Sequence, residues 1–196
     1  MLEIILASNN EGKVKEIQDI LKEYKIVSLK EAKIEVKVEE DQETFEKNAL
    51  KKATEICKLT NKICMADDSG LCIDILNGFP GVKTARFLGE NATNEEKNTY
   101  LLEKMKDKEN RKAKVITCIA LAFPDGRNSV HKGTLEGFIS NKRRGDNGFG
   151  FDEIFELPDG RTLAQLSHKE KNEISSRKIA LEKTLIYLNT IQDEMK

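Results

Sequence analysis

The chain has 196 residues, enough to bury a sizeable core and too few for several large domains, so one unit spanning 1–196 is the starting expectation. Lys and Arg number 33 against 34 for Asp and Glu, a balance that leaves no overall field to attract nucleic acid or a membrane surface. Two histidines and four cysteines without a Cys-x-x-Cys pair argue against a histidine metal centre, a Ser/His/Asp triad and a zinc site.

The first element is a short apolar run, Glu3-Ile4-Ile5-Leu6-Ala7, read as a strand; it is too short for the core of a signal peptide. No later run approaches the roughly 20 apolar residues of a membrane span, so a soluble, cytoplasmic protein with buried thiols is expected. Ser8-Asn9-Asn10-Glu11-Gly12 stops the strand, and Val14, Ile17, Ile20 and Leu21 then recur at helical spacing. Lys25 to Leu29 reads as a second strand, followed by an acidic stretch from Glu35 to Glu43 and a helix marked by Phe45, Ala49, Ala53, Ile56 and Cys57. Ile63 to Ala66 is a strand that ends in an Asp67-Asp68-Ser69-Gly70 turn, with strand character resuming from Leu71 to Ile75.

Thr93-Asn94-Glu95-Glu96 has the form of a capping box opening a helix to about Met105. A β pair follows, Ala113 to Phe123 and Ser129 to Ile139, joined at Pro124-Asp125-Gly126-Arg127. Asn141 to Asp152 is a loop rich in glycine and charge, Pro158-Asp159-Gly160 is a turn, and Ser167-His168-Lys169-Glu170 is a second capping box. It opens a closing helix with Ile174, Leu181, Leu185, Leu188 and Ile191 on one face. Alternating strands and helices followed by a β pair argue for an α/β or mixed-sheet fold, a twisted sheet with flanking helices.

Several features could carry chemistry. The turn from Ser8 to Lys13 leads from a strand into a helix, where exposed backbone N–H groups and the positive end of the helix dipole suit a phosphate that Lys13 could reach. As an isolated feature it is also an ordinary helix cap. Adjacent carboxylates at Asp67 and Asp68 point to opposite sides of a strand, so one can be held internally while the other meets Mg²⁺ or a water. Glu39 and Glu40 could complete a hard-cation site or merely be solvated. Lys52, Lys171 and Arg177 are candidate cations, the last with a planar fork for an oxygen-rich ligand. In Gly148-Phe149-Gly150-Phe151-Asp152, an aromatic ring between glycines could stack on a flat ligand, or both rings could anchor a core.

In combination these elements resemble the inosine triphosphate pyrophosphatase family, also described as XTP/dITP diphosphatases. The resemblance is carried by Ala7-Ser8-Asn9-Asn10-Glu11-Gly12-Lys13, Thr44-Phe45-Glu46-Lys47-Asn48-Ala49 with Lys52-Ala53, Ala66-Asp67-Asp68-Ser69-Gly70-Leu71, Pro80-Gly81-Val82-Lys83-Thr84-Ala85-Arg86, Gly148-Phe149-Gly150-Phe151-Asp152, and Glu170-Lys171-Asn172 with Ile174-Ser175-Ser176-Arg177. Six elements in this order cover nearly the whole chain. The resemblance implies an elongated two-lobed fold around a cleft, a homodimer, and a purine nucleoside triphosphate bound with Mg²⁺. It implies that Ser8, Asn9, Asn10, Glu11, Gly12 and Lys13, together with Lys52, Ser69 and Lys171, meet phosphates and sugar. Asp68 would serve the water and the metal, with Glu39 as second carboxylate. Phe149, Gly150, Phe151 and Asp152, with Ser176 and Arg177, would read the base.

The chain departs from the family pattern at three places. Ser176 stands where the family usually has histidine, Gln42 where it has glycine, and Phe151 where tyrosine is common; the second departure leaves the choice between Glu39 and Glu40 open. The implied reaction cleaves ITP, dITP or XTP to monophosphate and pyrophosphate, with Lys13, Lys52 and Lys171 neutralising the charge that develops on the leaving group. Two rival readings are a Maf-like pyrophosphatase for modified or pyrimidine nucleotides, whose motifs look unlike these, and a nucleotide-sensing protein, which the retained carboxylates disfavour.

Overall fold

Ile4, Ile5 and Leu6 are at most 2% exposed, which explains why β1 (Glu3–Leu6) reads as an unbroken apolar run: a strand covered on both faces has no polar side to show. In the computed structural model, which describes residues 2–194, β1 lies between β2 (Lys25–Ser28) and β3 (Cys64–Ile73) and is parallel to both. Ile5 faces Cys64 and Leu6 faces Met65 across the β1–β3 ladder. The sheet continues through β4 (Lys112–Ala122), β5 (Asn128–Ile139) and β6 (Phe155–Glu156), in the order β2-β1-β3-β4-β5-β6, with β6 antiparallel to β5. The mixed α/β class expected from the sequence is therefore present.

Five α-helices accompany the sheet among the described residues. The helix α1 (Glu11–Ile20) begins at Asn10, whose side chain accepts from the Lys13 N–H. α2 (Phe45–Thr60) is capped by Thr44 and stops at Asn61, which takes up a left-handed conformation. The capping boxes read from the sequence are both formed, at Thr93 for α3 (Asn94–Lys104) and at Ser167 for α4 (His168–Ile174). The last helix is α5 (Ser176–Glu194).

Two local expectations are corrected. Asp67-Asp68-Ser69-Gly70 is not a turn between strands but the middle of the ten-residue β3. Asp and Gly favour turns, yet here they continue a strand that pairs with β1 at Cys64 and Met65 and with β4 on its other side, and this tertiary setting overrides the preference. The single closing helix is two helices, broken at Ser175, whose ψ of 152° is extended. Ile174 is consequently 37% exposed and does not share a buried face with Leu181, Leu188 and Ile191. The break lets α5 start afresh against β5 at Gly133, where a Cβ would lie 2.0 Å from the Ser176 carbonyl oxygen, so only glycine admits the approach.

The described residues fall into two compact units. The first comprises residues up to Asp68, 117–133 and those from Ser176 on; the second comprises 69–116 and 134–175. The first is built on Ile4, Leu6, Ile17, Leu121, Leu181 and Leu188. The second packs around Leu71, Ile73, Leu101, Phe155 and Leu163. All four cysteines are buried thiols, and burial pushes Cys64 up to about 11 and Cys118 up to about 12. Among the described residues, no helix is long and apolar enough to cross a membrane.

Candidate functional site

Strand alternation sends the side chains of Asp67 and Asp68 to opposite faces of β3, and their surroundings differ accordingly. Asp67 is 1% exposed and holds two cations: Lys13 Nζ lies 2.5 Å from Oδ1, and Arg177 Nε donates to Oδ2 at 2.8 Å. Arg177 Nη1 also donates to Glu16, on the buried side of α1. Burial opposes ionisation of Asp67, but Arg177 and Lys13 outweigh it and hold the carboxyl well below its usual range. Arg177 in turn is held above its ordinary value, since Asp67 and Glu16 more than offset the desolvation of the guanidinium.

Asp68 is 4% exposed, and its Oδ2 is buried without a hydrogen-bond partner. Burial raises its pKa to about 6; Lys52 and Lys13 pull it down, while Glu40 and Asp67 push it up. Lys52 reaches this group from α2, with Nζ 2.5 Å from Glu40 Oε1 and 2.7 Å from the Asp67 carbonyl oxygen. The segment carrying Glu40 is held by Asn48, fully buried on α2, which accepts from the Gln42 N–H at 2.9 Å and donates to the Gln42 carbonyl at 3.4 Å.

An orphaned buried carboxylate oxygen is costly unless something partners it. A hard divalent cation suits it, and Mg²⁺ characteristically takes one or two carboxylates together with substrate phosphates rather than a full protein cage. Among the described residues no group of three or more His, Cys, Asp and Glu side chains is placed to hold a metal. Of the two candidates for a second carboxylate, Glu40 acts electrostatically on Asp68 and pairs with Lys52, whereas Glu39 is exposed.

The turn from Ser8 to Lys13 is a helix N-terminus as read from the sequence. Ser8 Oγ accepts from the Asn10 N–H, Asn10 Oδ1 accepts from the Lys13 N–H, and Asn9 and Asn10 are exposed. Glu11 is exposed and pairs with Lys30, while Gly12 is half-buried in the first turn. Ser176, expected beside a base, is 3% exposed and shares a 2.8 Å hydrogen bond with Thr117. Arg177 is likewise interior at 6% exposure, its fork occupied by Asp67 and Glu16.

In the second unit, Gly148-Phe149-Gly150-Phe151-Asp152 is a closed turn. Asp152 Oδ2 accepts from the Phe149 N–H at 2.8 Å and from Lys171 Nζ at 2.5 Å. Gly148 has a φ of +79°, and a Cβ there would lie 2.1 Å from Asp152 Oδ2, so glycine is required on both counts. The two aromatic rings have different surroundings. Phe151 packs against the second unit's core, and Phe149 is half-exposed with Lys171 Nζ 4.4 Å from its ring centroid. Asn98 fixes the Gly150 carbonyl at 2.9 Å, and Ser69 is half-buried in β3.

The structure thus gathers Lys13, Lys52, Asp68 and Arg177 in the first unit, and Phe149, Asp152 and Lys171 in the second. Sequence reasoning passed over Glu16 and Asn48. Both are polar residues on the apolar side of an amphipathic helix, Glu16 beside Ile17 and Asn48 beside Ala49, and that misplaced polarity is the signal that could have found them.

The sequence profile of the Ham1 family matches residues 4–187. A Staphylococcus aureus protein named dITP/XTP pyrophosphatase is 41% identical over 189 residues, covering 96% of this chain and 97% of its own. The Clostridium perfringens protein of the same name is 46% identical, covering 93% of this chain and 95% of its own. Among solved structures, a HAM1 protein from Coxiella burnetii superposes with a TM-score of 0.88 at 40% identity, covering 97% of this chain and all of its own.

Proposed function

This chain belongs to the Ham1 family, and we propose that it is a Mg²⁺-dependent, cytoplasmic, homodimeric pyrophosphatase that cleaves dITP, XTP and ITP to the monophosphate and pyrophosphate. Its relatives' shared activity makes it a hydrolase of nucleoside-triphosphate anhydride bonds acting on non-standard purine nucleotides. The observation that carries the metal-dependent reading is the buried, unpartnered Oδ2 of Asp68 beside Glu40, Lys13 and Lys52.

On this reading Asp68 and Glu40 hold Mg²⁺, with Glu40 taking the place first considered for Glu39. When bound, Mg²⁺ supplies charge neutralisation for phosphate oxygens and makes a nearby water more acidic. Lys13, one turn inside α1, and Lys52 balance the charge that grows on the departing pyrophosphate. The N–H groups at the start of α1 add a fixed positive potential that needs no reorganisation as the reaction proceeds. Asp67 takes no part in proton transfer; held ionised by Arg177, it fixes Lys13 from below and presents its carbonyl to Lys52. Asp68 accepts the proton of the attacking water or orients that water toward the α-phosphorus.

Selection of purines follows from hydrogen-bond polarity. Hypoxanthine and xanthine present a 6-oxo acceptor beside an N1–H donor, and adenine reverses both. A site built for the first pattern leaves two groups unsatisfied with the second, and such mismatches can discriminate by factors on the order of 10⁴.

Pyrophosphate release from dITP, XTP, ITP, dGTP and dATP, each with Mg²⁺ and with EDTA, tests the proposal. Turnover of the first three is expected to exceed that of dGTP and dATP and to vanish with EDTA. Equal turnover of dATP, or full activity in EDTA, would overturn it. Sedimentation at micromolar concentration tests the homodimer.

A further inference from the structure

We propose that Lys52 is a resident cation that occupies Glu40 in the metal's stead, so that a divalent cation entering the nucleotide-free protein must displace it. A triphosphate, by drawing Lys52 to its oxygens, hands Glu40 over to the metal. The inference rests on the reading of Asp68 and Glu40 as the metal's carboxylates, and it turns one lysine into a coupling between two ligands.

The geometry makes the case. Lys52 Nζ is held at 2.5 Å by Glu40 Oε1 and at 2.7 Å by the Asp67 carbonyl, with its side chain 11% exposed. An ammonium has donors only, so every partner it can hold is one that a metal would also take. Asp68 feels both groups, lowered by Lys52 and raised by Glu40, while its own Oδ2 keeps no hydrogen bond. The carboxylate pair therefore has a cation already, but one that satisfies Glu40 and leaves Asp68 incomplete.

The supporting framework is arranged for exchange rather than permanence. Glu40 lies outside regular secondary structure, yet Asn48 anchors its segment through both backbone groups of Gln42. Glu40 can then change partners without its backbone being displaced. Lys52 projects from the middle of α2 on a flexible four-carbon stem, where an arginine's rigid fork would resist such a swing. Lys13 is held differently: its ion pair is with Asp67, which Arg177 also claims, and it acts on Asp68 only through its charge.

Binding of Mn²⁺ alone, followed by the electron paramagnetic resonance signal of the free ion, reads this coupling without turnover. The forms compared are the unaltered protein, Lys52→Met, Lys52→Gln and Asp68→Asn, first without nucleotide and then with a dITP analogue whose α,β-bridging oxygen is replaced by NH. Without nucleotide, Lys52→Met and Lys52→Gln are expected to bind Mn²⁺ about tenfold more tightly than the unaltered protein, the gain that follows if Lys52 blocks the site about nine-tenths of the time. The analogue is expected to tighten Mn²⁺ binding more in the unaltered protein than in either Lys52 variant, and Asp68→Asn to abolish binding throughout.

Lys52→Gln retains a donor for the Asp67 carbonyl, and thermal midpoints establish that both variants are folded. Asp68-dependent Mn²⁺ binding that is no tighter in either folded Lys52 variant would overturn the inference and leave the metal reading standing. An absence of Asp68-dependent binding in every form, with and without the analogue, would overturn both.

Discussion

Asp68→Asn is expected to lower pyrophosphate release from dITP by about 10³-fold or more, the scale of a lost general base at a metal-assisted centre, while triphosphate affinity stays within about tenfold. The same substitution is expected to stabilise the metal-free protein. Asp68 has its folded pKa raised to about 6 from 3.8, chiefly by burial. Such a group binds its proton more tightly folded than unfolded, so its stabilising contribution is full below the unfolded value and is lost as pH rises through about 6. Asn carries no charge at any pH and escapes that loss.

The gap between variant and unaltered protein in EDTA should therefore be near zero at pH 3.5–4 and open between pH 4 and 6. Two pKa units correspond to about 2–3 kcal/mol at pH 7.5. Calorimetric midpoints across this range, in EDTA and then in Mg²⁺, provide the check. Mg²⁺ should narrow the gap by stabilising only the unaltered protein. A variant that retains hydrolysis would remove Asp68 from the mechanism, and a gap of the same size at pH 4 and pH 7.5 would refute the account of its burial.

Arg177→Ala is expected to damage folding first. Removing it leaves Asp67 and Glu16, both buried, without the guanidinium that bridges them, and the loss of one partner from a buried ion pair typically costs about 3–5 kcal/mol. For a chain of this size that is a fall of roughly 10 °C in the thermal midpoint. Arg177→Lys should recover little, because a single ammonium cannot span the two carboxylates as the fork does. A midpoint within about 2 °C of the unaltered protein would show that the network contributes little to stability. The resemblance to the family implies that Arg177 reads the base, a role in which its removal would alter base choice more than folding. Its burial against Asp67 and Glu16 makes folding the first property its removal is expected to disturb. The ratio of dITP to dATP turnover in Arg177→Ala, measured well below its midpoint, separates the two effects, and an unchanged ratio would confine Arg177 to the structural role.

Much of the fold was legible because it rests on local chemistry. Thr93 with Glu96 and Ser167 with Glu170 announce helix starts through side chains that satisfy nearby backbone donors, and no distant partner is needed to see this. β1 was legible from its apolar run and β4 with β5 from the turn between them. What was misread depends on partners remote in sequence. Asp67-Asp68-Ser69-Gly70 is strand within a sheet that places β3 between β1 and β4, and the backbone just after the break at Ser175 passes close to Gly133, far back in the sequence.

The site shows the same division. Lys13, Lys52 and Asp68 could be nominated from their motifs, but the pairing of Lys52 with Glu40 and of Arg177 with Glu16 and Asp67 is a tertiary fact. The neighbouring Glu39 and Glu40 look alike as letters. Only the path of the backbone toward α2 puts one beside Asp68 and leaves the other in water.

The alternation along β3 makes the site sensitive to parity. Asp67 and Asp68 have opposite fates because one is odd and the other even in a strand whose register is pinned where Ile5 faces Cys64 and Leu6 faces Met65. A substitution in the preceding stretch leaves parity untouched, whereas one added or deleted residue between Met65 and Asp67 exchanges the two faces. An insertion would put Asp67 in the place of Asp68 and carry Asp68 on to that of Ser69, whereas a deletion would put Asp68 in the place of Asp67 and carry Asp67 back to that of Ala66, so that either way one of the two positions loses its carboxylate. Equal-length apolar replacements such as Met65→Leu should therefore keep most activity, while single-residue insertions and deletions there should lose it even when the chain still folds. Variation at this strand is accordingly expected in the identity of residues and not in their number.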